Sequence, residues 1–217
     1  MVKKTNIQTV GEEIANAVSH GLMAIFGLVA LILLLVKADR GIEYISAIIF
    51  GFGIINLYTM STLYHALFHP VAKSVFQRFD HLSIYLLIGG TFAPALLLLP
   101  ALQEPFILGI GLGPLLFIIQ WVLILIGVIF KSIWIKKFAK LHLFIYLAMG
   151  WSALIFVNQL FAYQQGAFWF VFLGGVAYSI GVIFYIFPKI KYFHFIWHIF
   201  TSIGTILQFI AIYGYLY

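Results

Sequence analysis

The 217-residue chain reads as an all-α polytopic membrane protein. The expected architecture is a single seven-transmembrane helix bundle over residues 1–217, with the N-terminus cytoplasmic and the C-terminus external. Three observations predict it. The composition is 64% hydrophobic, 18% aromatic and 8% charged, and the mean hydropathy is +1.12, which leaves too little polar surface for a soluble domain. The apolar residues gather into seven runs near the roughly 20 residues that a helix needs to cross hydrocarbon. The basic residues fall on alternate connections.

The seven expected spans are about 15–36, 43–68, 80–99, 106–130, 141–160, 167–187 and 193–216. No small-residue cleavage pattern follows the first, so it reads as a retained span rather than a signal peptide. Short connections link the spans: "KADRG", "HPVAKSVFQRF", "PALQEP", "KSIWIKKFAK", "NQLFAYQQG" and "PKIKY". They leave no room for a separate soluble domain, and no linker or obvious internal repeat interrupts the pattern. Pro114 falls within the fourth expected span, where a kink is expected and tolerated.

Lys3, Lys4, Lys73, Arg78, Lys131, Lys136, Lys137, Lys140, Lys189 and Lys191 are ten of the twelve basic residues, and all fall on the side of the N-terminus. Only Lys37 and Arg40 fall on the other side. By the positive-inside rule, the ten mark the cytoplasmic face. The net charge of +6 is therefore a membrane-orientation signal rather than a nucleic-acid footprint, because the basic residues lie between apolar runs and not on one face. Cysteine is absent. That excludes a disulfide framework and a thiolate nucleophile, and any metal site must use His, carboxylates and water.

Ionisable groups inside a span are costly, so each is a functional-site hypothesis. In "STLYH", Ser61 and His65 are one helical turn apart at the cytoplasmic end of the second expected span. "FDHLSIY" opens the third with Asp80 and His81, and "HFIWH" opens the seventh with His194 and His198, again one turn apart. Three separated helices thus bring polar groups to one depth. Three neutral imidazoles with an open fourth position make a catalytic zinc arrangement, which His65, His194 and His198 could supply. Asp80 could then direct or deprotonate the attacking water, and Ser61 could donate to a substrate oxygen or position that water. Each His could instead cap carbonyls or meet headgroups, and Asp80 could be a helix N-cap at the dipole end. In "EEIANAVSH", Glu13, Asn16 and His20 share one face of the first helix. A supporting role behind the ligands is expected of them, with helix-end stabilisation by Glu13 and interhelical hydrogen bonding by Asn16 as the structural alternatives. His81, His69 and His142 read as supporting or interfacial residues.

E-x-x-N-x-x-x-H in the first helix, S-x-x-x-H in the second, D-H-x-x-I-Y with "GGTFAP" in the third and H-x-x-x-H in the seventh together resemble the bacterial haemolysin III family. That family belongs with the progestin and adipoQ receptors, including the adiponectin receptors. The Ser, Asp and three-His set is also similar, more distantly, to that of the alkaline ceramidases. The likeness runs from Glu13 to His198 and is specific as a set. It implies zinc held within the membrane by His65, His194 and His198, with the family's Asp at Asp80 and its Ser at Ser61.

Three functions follow as expectations. The first is a zinc-dependent intramembrane hydrolase acting on a lipid amide or ester, with a membrane lipid as substrate. The second is a non-enzymatic sensor or receptor-like protein that takes lipid as ligand around a structural zinc; closed structural sites usually include Cys, which tilts the reading towards the first. The third is a pore-forming cytolysin, against which the near-continuous apolar spans argue. The only other partner expected is the bilayer. Nucleic acid is not expected, and the sequence leaves the oligomeric state open.

Overall fold

A computed structural model describes residues 8–134 and 137–217. Lys3, Lys4 and Lys136, which contribute to the charge pattern, lie outside the described residues. Among the described residues, seven helical segments are long and apolar enough to cross a membrane. They are α1 (Val10–Lys37), α2 (Gly41–Ala66), α3 (Pro70–Leu98), α4 (Leu112–Ile133), a broken fifth span, α7 (Gln165–Tyr185) and α8 (Phe193–Tyr215). The fifth span joins α5 (Ala139–Gly150) to α6 (Val157–Tyr163) through a 3-10 stretch, Trp151–Phe156. The protein is a multi-pass, all-α membrane protein.

The bundle is built with its large aliphatic side chains outward. On α1, Val10, Ile14, Val18, Leu22, Ile25, Val29, Ile32 and Val36 recur every three or four residues and are all exposed. The opposite stripe, Glu13, Asn16, His20, Met23, Gly27, Ala30 and Leu34, is buried. Lipid is as apolar as leucine, so the interior is where small and polar residues gain by close packing and hydrogen bonding. Gly53 of α2 and Gly90 of α3 show the consequence. A Cβ on Gly53 would lie 2.8 Å from Leu86 O, and one on Gly90 would lie 2.9 Å from Ile49 O. The two backbones touch there because neither residue has a side chain.

Two boundaries and one proline depart from the expectation, each for a local reason. α3 begins at Pro70 rather than near 80, with proline in the first turn, where its missing N–H costs nothing. The polar "KSVFQR" stretch is therefore helical and extends the span beyond its apolar core. Residues Pro105–Ile107 and Ile110–Gly111 form β1 and β2, a short antiparallel hairpin turned through Leu108 and Gly109 at positive φ. The fourth span thus starts only at Leu112. Pro114 then sits in the first turn of α4, where its missing N–H leaves no intrahelical bond unmade; the proline inside a helix is Pro94 of α3.

The site owes its position to the joins at the end of the bundle where α1 begins. Thr9 and Glu12 form a reciprocal capping box on α1, with Glu12 N–H donating to Thr9 Oγ1 at 3.3 Å and Thr9 N–H to Glu12 Oε2 at 2.8 Å. The other oxygen of Glu12 accepts from the Tyr192 N–H at 2.7 Å. Tyr192 is left-handed (φ 61°) and is the residue from which α8 starts. One carboxylate therefore ties the first turn of α1 to the entry of α8.

Candidate metal centre

α2 ends, and α1 and α8 begin, at the same end of the bundle, and this delivers His65, His194 and His198 to one place. One ring nitrogen from each lies within 4.8 Å of the other two. His194 and His198 are successive turns of α8, and their Nε2 atoms are 3.1 Å apart. His65 and His198 are buried, and His194 is partly so.

The surrounding hydrogen bonds decide which nitrogen is free. The Glu13 carboxylate accepts from His65 Nδ1 at 2.7 Å, so the proton sits there and Nε2 is bare. That Nε2 is buried and has no partner among the described residues. Ser19 Oγ approaches His198 Nδ1 at 3.5 Å while donating to Asn16 O at 3.0 Å. This again places a proton on Nδ1 and leaves Nε2 as a lone pair. His198 Nε2 faces His194 Nε2 at 3.1 Å, a distance that calls for a proton or a cation between them. Tetrahedral ligands at a zinc–nitrogen distance of 2.0–2.1 Å would be about 3.3 Å apart. The donor set therefore fits a metal ion, and a carboxylate behind a ligating histidine is the usual orienting contact.

The supporting residues lie around this triad in different ways. Glu13 also pairs with Lys73 of α3 at 2.9 Å. It is a bridge between α2 and α3, and the α1 cap belongs to Glu12 instead. Asn16 donates to Gln8 at 2.8 Å and lies 3.5 Å from His65 Nδ1. His20 stacks flat on His198, with centroids 3.5 Å apart and planes at 7°, and meets Tyr58 edge-on. Both of its nitrogens are buried and have no partner among the described residues. It adjoins the triad but is not grouped with it as a ligand.

Asp80 lies three turns inside α3, so it cannot be a helix N-cap. It faces a cavity of about 180 Å³ that Ser61, His20, His194 and His198 also line. Ser61 is beside Asp80, yet its buried hydroxyl completes no well-aligned hydrogen bond. An acid, a hydroxyl and the imidazoles of His20, His194 and His198 thus open on one space. From there the cavity continues along the bundle past Leu87, Phe92 and Tyr178 to Leu160, Ile212 and Leu216, with a mainly apolar wall.

His81 is also on this wall but is not grouped with the triad. His142, expected near the interface, is instead buried in α5 and hydrogen-bonded to Tyr85 Oη at 2.7 Å. His69 is an exposed residue before α3. Sequence reasoning passed over Glu12, Ser19 and Lys73. The T-x-x-E spacing of Thr9 and Glu12 was a local signal for Glu12, whereas Ser19 and Lys73 act across helices and leave no pattern of their own.

Comparison with known proteins now bears on the chain. The profile of the haemolysin-III related family matches residues 8–209. The chain belongs to that family. It is 39% identical over 214 residues to a hemolysin-3 homolog of Bacillus subtilis (strain 168), covering 95% of each chain. It is 36% identical over 212 residues to hemolysin-3 of Bacillus cereus, covering 96% of this chain and 93% of the relative. A human protein, monocyte to macrophage differentiation factor, is 30% identical over 218 residues, covering 95% and 85% respectively.

Proposed function

We propose that this haemolysin III family member is a zinc-dependent hydrolase of a lipid amide or ester, working at the cytoplasmic face of the membrane. The observation that carries the reading is the convergence of the bare His65 and His198 Nε2 atoms, with the His194 Nε2, beside a cavity that Asp80 and Ser61 share. His65, His194 and His198 hold the ion, and their imidazole donors suit zinc. When bound, zinc supplies Lewis-acid activation of water at near-neutral pH.

The chain's own groups perform the remaining work. The apolar cavity takes the acyl chain and excludes bulk water. Ser61 donates its unengaged hydroxyl to the scissile carbonyl oxygen. Asp80 takes the proton from the attacking water and returns it to the leaving group. Glu13 holds the His65 ring in the tautomer that presents Nε2. The orientation supports a site reached from the cytoplasmic leaflet, since the triad lies at the end of the bundle rich in Lys and Arg.

The names of the bacterial relatives favour a second reading, lysis of a target membrane. Purified protein incubated with a panel of lipid amides and esters decides between them. Fatty-acid release that falls roughly 100- to 10,000-fold in Asp80→Asn, with zinc retained, supports the hydrolase. Full activity in Asp80→Asn removes Asp80 from the mechanism. Dye leakage from intact vesicles without any fatty-acid release supports lysis instead.

A further inference from the structure

Lys131 lies in the last turn of α4 and is 3% exposed. It lines the cavity that holds Asp80, Ser61 and two of the three clustered imidazoles. Two other lysines show how this bundle treats an ammonium group. Lys37 donates to Tyr213 O at 2.6 Å and lies over that ring. Lys73 donates to Tyr64 O at 3.0 Å and pairs with Glu13 at 2.9 Å. Lys131 has no hydrogen bond and no ion pair among the described residues, not even to the carbonyls at the end of its own helix. A lysine that only met headgroups would extend outward and be exposed in the bare protein. This one is covered by protein and faces inward.

His81 stands on the same cavity wall with its Nδ1 buried and unpartnered. It follows Asp80 by one residue, about 100° around α3, so Asp80 faces Ser61 while His81 faces α4 and α5. Tyr146 Oη of α5 donates to His81 O at 3.0 Å and fixes that side of the helix. An ammonium group and an imidazole nitrogen therefore share a wall, neither with a hydrogen-bond partner among the described residues, and a buried unpaired cation is costly unless something anionic joins it. We propose that Lys131 and His81 form a subsite for an anionic oxygen group, a phosphate above all, carried by an amphiphile whose acyl chain occupies the apolar part of the cavity. Joined to the hydrolase reading, on which this substrate assignment rests, the subsite selects a phosphate-bearing acyl lipid over a neutral one. Asp80 and Ser61 then act on its acyl linkage.

Binding, not turnover, tests the subsite, so it stands or falls apart from the hydrolase. The full chain in neutral detergent is titrated with lysophosphatidic acid, with monoacylglycerol of the same chain length and with inorganic phosphate. Wild type should bind lysophosphatidic acid roughly 10- to 100-fold more tightly than monoacylglycerol, the worth of a charge-assisted hydrogen bond. Lys131→Met, which keeps the volume and should fold, is expected to erase that preference and leave monoacylglycerol binding unchanged. Lys131→Arg should keep the preference. Binding of inorganic phosphate alone, lost in Lys131→Met, supports the anion subsite and assigns it to a free anion rather than a headgroup. Equal binding of the two lipids by wild type, or an intact preference in Lys131→Met, overturns the proposal.

Discussion

Glu13 accepts from His65 Nδ1 at 2.7 Å and pairs with Lys73 at 2.9 Å, so one carboxylate sets both a ring and a helix contact. Removing such an orienting group typically costs 10- to 100-fold in metal affinity. Glu13→Ala should therefore lose zinc roughly 10- to 100-fold more readily to a competing chelator, with the seven-helix fold intact by circular dichroism. Unchanged retention would leave Glu13 a packing residue only. At the same scale, Ser61→Ala is expected to reduce hydrolysis less than Asp80→Asn, because water can replace one hydroxyl but an amide accepts no proton at neutral pH. The pairs Ser61/His65 and His194/His198 were legible because helical spacing is local. Ser19, Lys73 and Lys131 were not, since their importance lies in distances between helices. Asp80 was legible as a residue but not in its setting: the sequence placed it at a helix end, and it lies well inside α3.

The helices themselves were easiest to read where apolar runs are continuous and hardest where polar residues stay helical. α3 runs from Pro70 because Pro70 can open a helix and the Lys73–Glu13 pair holds the polar turn against α1. Hydropathy alone stops near Asp80. Likewise "FILGIG" is apolar enough to count as span, but Leu108 and Gly109 at positive φ turn it into a hairpin. The fifth span breaks into α5, a 3-10 stretch and α6 without a proline to announce it. Close approach at Gly53 and Gly90 makes an element-scale prediction. Gly90→Ala places a Cβ 2.9 Å from Ile49 O, and overpacking of this kind costs roughly 1–3 kcal/mol. A lowered melting temperature in detergent is expected, whereas an unchanged one would mean that α2 and α3 have room to separate.

Seven spans place the two termini on opposite faces, and the concentration of basic residues is the ground for proposing that the triad end is cytoplasmic. The absence of cysteine allows a clean check. A single Cys in place of Glu104 should react with an impermeant reagent on intact cells, and one in place of Lys189 only after permeabilisation. The reverse pattern would invert the protein and move the site to the external leaflet. Metal and fold should also be linked, since one ion would tie three ligands from two helices that meet α1. Stripping it with a chelator is expected to lower the melting temperature, and zinc should restore it. The central claim rests on that ion. Its most direct measurement is the metal content of the purified protein, determined elementally for wild type and His198→Ala. The account predicts one zinc per wild-type chain and almost none in His198→Ala; a wild-type chain without zinc, or equal zinc in the two proteins, would contradict it.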